Sequence, residues 1–228
     1  MNYKLVIILV CLMALSAVAR DKRDFAQLGR YEQANMELNM QRNNGKRVVL
    51  LGNSITEHWV EMHPAFFADN RLIGRGISGQ TSQEMLVRFR TDVINLKPKV
   101  VVICAGTNDI AENAGHYRED NTVGNIETML MMAKQAKMKV IVASVLPTDS
   151  YPWNTSVTGV ADKVMSLNRR LQALAKKYKA TYLDLFSATV SQDGRTMNAA
   201  FTYDGVHPTL AGYAVMEQAL LPMLKKLR

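Results

Sequence analysis

The chain has 228 residues, 48% of them hydrophobic and 21% charged, with 13 glycines and 6 prolines. That balance excludes a disordered chain, a collagen-like repeat and a multi-pass membrane protein, and it supplies enough apolar side chains for a sizeable core. The net charge of +8 would suit an anionic partner, yet Lys and Arg are scattered over stretches with helical apolar spacing. No nucleic-acid motif accompanies them, so solvated helix faces are expected and nucleic acid is not.

In chain order, Lys4 is followed by the nearly all-apolar run Leu5 to Leu15 and by Ala17-Val18-Ala19, a small-x-small cleavage pattern. This is the pattern of a secretory signal peptide, residues 1–19. The apolar run of 15 residues from Leu5 to Ala19 falls short of the roughly 18 needed to span a bilayer, so stable membrane insertion is not expected. Removing 19 of 228 residues leaves one domain of 209, residues 20–228, expected in the periplasm or outside the cell. Acylation at Cys11 is the alternative, disfavoured because Val10 stands where a small residue is usual. After cleavage Cys104 has no partner for a disulfide and reads as a small core residue.

A helix is expected over 24–43. Five short apolar runs follow, Arg47 to Leu51, Arg71 to Arg75, Val100 to Ala105, Lys139 to Val145 and Thr181 to Leu185, and they read as buried parallel strands. Between them Ser82 to Leu96, Val123 to Lys137 and Val160 to Lys179 carry 3.6-residue apolar spacing, and Leu210 to Leu227 closes the chain as a helix. Strand then helix, repeated, predicts an α/β domain with a parallel sheet covered on both faces. Pro147 to Gly159 is irregular and follows a strand, which places a loop beside the site.

Ligands of open α/β sheets bind beyond the carboxyl ends of the strands. Those ends carry Gly52-Asn53-Ser54-Ile55-Thr56, Gly76-Ile77-Ser78-Gly79-Gln80-Thr81 and Gly106-Thr107-Asn108-Asp109, and Asp204-Gly205-Val206-His207 precedes the last helix. A serine hydroxyl needs a base, and the base needs a carboxylate to hold its tautomer. Ser54, His207 and Asp204 supply the three. Gly79 allows close backbone approach, so the N–H groups of Gly79 and Ser54 and the amide of Asn108 can serve as oxyanion donors.

These blocks resemble the SGNH hydrolases, also called the GDSL esterase and lipase family. Gly52-Asn53-Ser54-Ile55 matches the nucleophile block, Gly79 the oxyanion glycine, Asn108 the oxyanion asparagine and Asp204-x-x-His207 the last block, in the family's order. The departure is Asn53, where the family more often has Asp. The resemblance implies a three-layer α/β/α sandwich, flavodoxin-like, with a five-stranded parallel sheet. It also implies ester hydrolysis through an acyl-serine, with no metal or organic cofactor. A short acyl chain is expected, with O-acetyl groups on carbohydrate as the first candidate and a small-molecule or glycan ester as the partner. A lysophospholipase or thioesterase, or a catalytically silent carbohydrate-binding protein, are the alternatives. Oligomeric state is not specified.

Other residues admit plainer roles. Ser54 taken alone reads as a helix N-cap, Ser78 as a turn residue and Asp109 as a cap for the segment after it. His58, His63 and His116 lack zinc spacing and suit surface or pocket roles, and Met129 to Met132 suits a helix. Trp59 and Trp153 could line the site or pack as anchors. Asn154-Thr155-Ser156 is a glycosylation sequon that matters only in a glycosylating host.

Overall fold

The computed structural model describes residues 24–227, so the expected signal peptide and Cys11 lie outside the described residues. Five strands, β1 Val48–Gly52, β2 Leu72–Gly76, β3 Val100–Ile103, β4 Lys139–Ala143 and β5 Thr181–Leu183, form a wholly parallel sheet of order β2-β1-β3-β4-β5. This is the flavodoxin-like order, with its switch point between β1 and β3.

The strands read as continuous apolar runs because both faces of the sheet are covered. Val49, Leu51, Val101, Ile103, Val140 and Val142 face one helical layer, where they pack with Met85, Phe89, Ile126, Met129, Val164 and Leu171. Val48, Leu50, Val100, Val102, Ile141 and Ala143 face the other, with Trp59, Phe66, Phe67, Tyr213, Met216 and Leu220. The period of two along each strand thus divides the apolar residues between two cores. The result is a three-layer α/β/α sandwich.

The first layer is built by α4 (Ser82–Asp92), α6 (Glu119–Gln135) and α7 (Val160–Tyr178). The second is built by α2 (Ser54–Met62), α3 (Pro64–Asp69) and α9 (Leu210–Leu227). The helix expected over 24–43 is shorter: a 3-10 turn at Leu28–Tyr31 leads into α1, Glu32–Met40. The expected helix from Ser82 to Leu96 divides at Val93, whose backbone leaves the helical region before a 3-10 turn at Ile94–Leu96. Two short helices, α5 (Thr107–Ile110) and α8 (Leu185–Thr189), follow β3 and β5 closely. They end the apolar runs earlier than expected, at Ile103 and Leu183.

Tight approach at the strand ends is a matter of glycine. A Cβ on Gly76 would lie 2.2 Å from the Glu57 backbone nitrogen. Only glycine there lets α2 sit flush on β2.

Candidate active site

The carboxyl ends of the strands carry an open cleft of about 370 Å³ lined by Ser54, His58, Ser78, Gly79, Asn108, Asn113, Trp153 and His207. Three of the expected site residues form a continuous hydrogen-bonded series. Ser54 Oγ is 2.9 Å from His207 Nε2, and His207 Nδ1 is 2.7 Å from Asp204 Oδ2. The other oxygen of Asp204 accepts the backbone N–H groups of Val206 and His207, at 2.9 and 2.7 Å. Burial works to raise the Asp204 carboxyl, but these N–H donors and the imidazole outweigh it and hold the group below the ordinary carboxylate value. A depressed folded value means that the stabilisation is present above the unfolded value and is lost as pH falls through the folded one. Asp204 therefore stays ionised through mildly acid pH. Protonation of Asp204 is expected to limit the rate only below the ordinary carboxylate range, a point that kcat/KM titration checks.

Ser54 is the first residue of α2 and not its cap, contrary to the plainer expectation. Asn53 takes that role, its side-chain oxygen accepting the Ile55 N–H at 3.0 Å. Capping accounts for Asn53 in place of Asp, since both cap well and neither needs a charge to do so. It also leaves the Ser54 hydroxyl to His207. As a first-turn residue Ser54 has a backbone N–H with no intrahelical acceptor.

Gly79 has φ +77°, a conformation costly for any other residue. Its loop is fixed from every side. Glu57, on α2, accepts both the N–H and the hydroxyl of Ser78, at 2.7 and 2.5 Å, and pairs with Arg30 at 2.8 Å. Burial raises the Glu57 carboxyl, but Ser78 and Arg30 bring it below its ordinary value, so it is charged at neutral pH. The Gly79 carbonyl accepts from Asn113 at 3.2 Å, and the Gln80 carbonyl accepts from Asn108 Nδ2 at 3.0 Å. That bond orients the buried Asn108 amide, and its second N–H remains for the cleft. Asn108→Ala is expected to lower kcat by about 10²-fold to 10³-fold with a smaller change in KM, measured by steady-state hydrolysis of p-nitrophenyl acetate.

Behind the loop lies Arg88, fully buried. It donates to the carbonyls of Gly52 and Arg75 at 2.9 Å each, to Gln80 Oε1 at 2.5 Å and to Asp92 at 3.0 Å. Burial pushes Arg88 below its ordinary value while Asp92 pulls the other way, and a guanidinium stays charged under both. Gln80 Nε2 donates in turn to the Ala26 carbonyl at 2.8 Å. One cation thus holds the ends of β1 and β2 and the loop that carries Gly79.

Sequence reasoning missed Glu57, Arg88 and Asn113. The signal for Arg88 was present: Arg88 and Asp92 stand four apart on the same helix face as Met85 and Phe89. Asp109 corrects an expectation: it reaches the helix after it only through the Thr122 hydroxyl, at 3.1 Å, and caps no backbone N–H there. Its carboxylate accepts the Ser82 N–H at 2.9 Å and the Ser82 hydroxyl, so it closes the start of α4 from across the sheet edge. Burial raises this carboxyl despite those bonds.

The remaining candidates separate cleanly. Trp59 is core, donating to Glu217 at 2.9 Å and stacking on Tyr213, whereas Trp153 is 44% exposed at the cleft. His63 pairs with Glu217 and His116 with Glu112, while the His58 ring lies 5.4 Å from that of His207. Among the described residues no three His, Cys, Asp or Glu side chains gather as a metal site would require. Met129 is buried and Met131 exposed, as a surface helix demands. Desolvation pushes the Cys104 thiol up to about 12, which disfavours the reactive thiolate.

Residues 50–215 match the model of the GDSL-like lipase/acylhydrolase family, a span that holds all four motif blocks. The chain belongs to this family. A GDSL-like lipase from Bacteroides thetaiotaomicron is 48% identical, with 90% of this chain and 100% of that one covered at a TM-score of 0.87. A Bacteroides fragilis protein provisionally assigned as an acylhydrolase is 52% identical, with coverage of 89% and 98% and a TM-score of 0.86. Platelet-activating factor acetylhydrolase IB subunit alpha1 from Pongo abelii is 30% identical over 186 residues, 79% of this chain and 76% of that protein. As a GDSL-family acylhydrolase the protein is a carboxylic ester hydrolase.

Proposed function

We propose that this GDSL-family hydrolase removes short acyl groups, acetyl foremost, from hydroxyls of a carbohydrate, with Ser54 as nucleophile, His207 as base and Asp204 as its orienting partner. The observation that carries the roles is the unbroken series Ser54 Oγ, His207 Nε2, His207 Nδ1, Asp204 Oδ2. His207 takes the hydroxyl proton as Ser54 attacks the ester carbonyl, and Asp204 stabilises the imidazolium that forms. The tetrahedral oxyanion is held by the N–H groups of Ser54 and Gly79 and by Asn108. Collapse expels the alcohol, which takes its proton from His207. Water activated by the same imidazole then releases the acid from the acyl-serine.

The acyl preference rests on the cleft wall. None of its eight lining residues is an aliphatic side chain and the cleft is open, so a fatty tail would lie between ring faces and solvent with no enclosed apolar channel to hold it. The kinship with a protein named as an acetylhydrolase points the same way. The sugar preference rests on Trp153 and Tyr203, 44% and 57% exposed, whose rings lie 5.8 and 5.7 Å from that of His207. Aromatic faces at the edge of an open cleft suit the flat apolar faces of a pyranose. Across p-nitrophenyl esters from acetate to palmitate, kcat/KM is expected to fall with chain length, and a rise would contradict the short-acyl preference. Acetylated xylo-oligosaccharide set against an acetylated phospholipid separates the two alcohol classes. We further propose export with cleavage after Ala19, on the pattern of residues 1–19. N-terminal sequencing of the protein from an expressing cell should begin at Arg20.

A further inference from the structure

Trp153 does more than border the cleft. Its indole nitrogen donates to Asn113 Oδ1 at 2.9 Å, and Asn113 Nδ2 donates to the Gly79 carbonyl at 3.2 Å. The polarity of this chain is fixed by chemistry. An indole N–H can only donate, so the Asn113 oxygen must face it and the amide NH₂ must face Gly79. Reversing the amide would break both bonds at once.

The other anchors of the segment do not replace this one. Glu57 holds Ser78, on one side of Gly79, and Asn108 holds the Gln80 carbonyl on the other. The Gly79 carbonyl itself is held by Asn113. Asn113 is placed in turn by its backbone N–H, which donates to the Asn108 carbonyl at 3.1 Å. Trp153 is supported by the buried Tyr151, ring centroids 5.1 Å apart, and Asn154 Nδ2 pins the next residue to the Ala111 carbonyl at 2.9 Å. The loop after β4 is thereby tied to the segment that follows β3, and through it to the segment that follows β2.

We infer that Trp153 is a positioning residue for the oxyanion hole, acting through Asn113 on Gly79, in addition to bordering the substrate cleft. The inference rests on the proposed role of the Gly79 N–H. It means that one ring both meets the incoming ester and, by holding the Gly79 carbonyl through Asn113, restrains the glycine whose own N–H, one peptide unit earlier, is a donor that the transition state uses. A shift of a fraction of an ångström in that donor weakens transition-state binding more than ground-state binding, so the effect belongs in kcat.

The test is p-nitrophenyl acetate kinetics on the wild type, Trp153→Phe, Asn113→Ala and the double variant, with thermal melts and fluorophosphonate labelling alongside. Trp153→Phe keeps an aromatic ring at the cleft, smaller than the indole, and removes the donor. Each single variant is expected to lose about tenfold in kcat with KM within about twofold. The double variant should lose no more than Asn113→Ala alone, because both changes break one chain. A Trp153→Phe enzyme with wild-type kcat, or losses that multiply in the double variant, would overturn the inference while leaving the esterase reading intact. If Trp153→Phe fails to fold, Asn113→Ala decides: an unchanged kcat there overturns it equally. A wild type that neither turns over the ester nor takes the fluorophosphonate would overturn the esterase reading, and this inference with it.

Discussion

Ser54→Ala is expected to lower kcat for p-nitrophenyl acetate by about 10⁴-fold or more and to leave the fold intact. The hydroxyl makes its hydrogen bond to His207 and lines an open cleft. The start of α2 is capped by Asn53 rather than by Ser54, so alanine removes chemistry without removing a cap. Unfolding free energy should change by less than about 1 kcal/mol. His207→Ala should cost a similar factor. The double variant should be no worse than either, because nucleophile and base act as a unit. A residual rate above that of water is expected in all three, since the Gly79 loop and Asn108 remain. Had Ser54 been only a structural residue, alanine would have shown the opposite pattern, with lost stability and a retained rate.

The largest expected effect on stability falls on Arg88. Arg88→Ala would take from Asp92 its ion-pair partner, leaving it the Asn35 amide and the field of the nearby Arg75, and would strip a donor from Gly52, Arg75 and Gln80 together. Breaking a buried ion pair from one side costs about 3 to 5 kcal/mol, a large part of the roughly 5 to 15 kcal/mol that holds a domain folded. Urea denaturation of the variant should show it directly. Lysine is no substitute, because a compact ammonium cannot reach four acceptors arranged around a planar fork. Replacing Arg88 by methionine and Asp92 by leucine together removes the pair but leaves the buried Arg75 without the Asp92 charge and Asn35 without its acceptor, so little of the stability should return. Nor should the rate return, because Gln80 and the ends of β1 and β2 still lose their shared anchor. An Arg88→Ala protein with wild-type stability and rate would contradict the role assigned to this network.

The fold was legible where burial dictates composition. Val48 to Leu51 and Val100 to Ile103 are covered on both faces, and a strand in that position has no polar side to show. Ser82 to Asp92 and Val160 to Tyr178 each turn one apolar face inward, which the 3.6-residue spacing records. The helices Pro64–Asp69, Thr107–Ile110 and Leu185–Thr189 were not legible, being at most about two turns long and too short to display a period. In the site, the residues proposed for the chemistry were legible because strand ends and chain order bring Ser54, Gly79, Asn108, Asp204 and His207 to one edge. The residues that hold them were harder to see. Glu57 grips Ser78 across 21 positions, and Trp153 reaches Asn113 across 40. No local pattern marks such pairs, and only the packed fold brings them within hydrogen-bond distance.

The acyl-serine mechanism is tested most directly by its covalent intermediate. Wild-type protein mixed with p-nitrophenyl acetate and quenched in acid during the first turnovers should carry one added acetyl group by intact mass. Peptide mapping should place that group on Ser54, and Ser54→Ala should carry none. Acetyl found on another residue, or turnover by the wild type with no serine adduct and no reaction with fluorophosphonate, would contradict the acyl-serine mechanism.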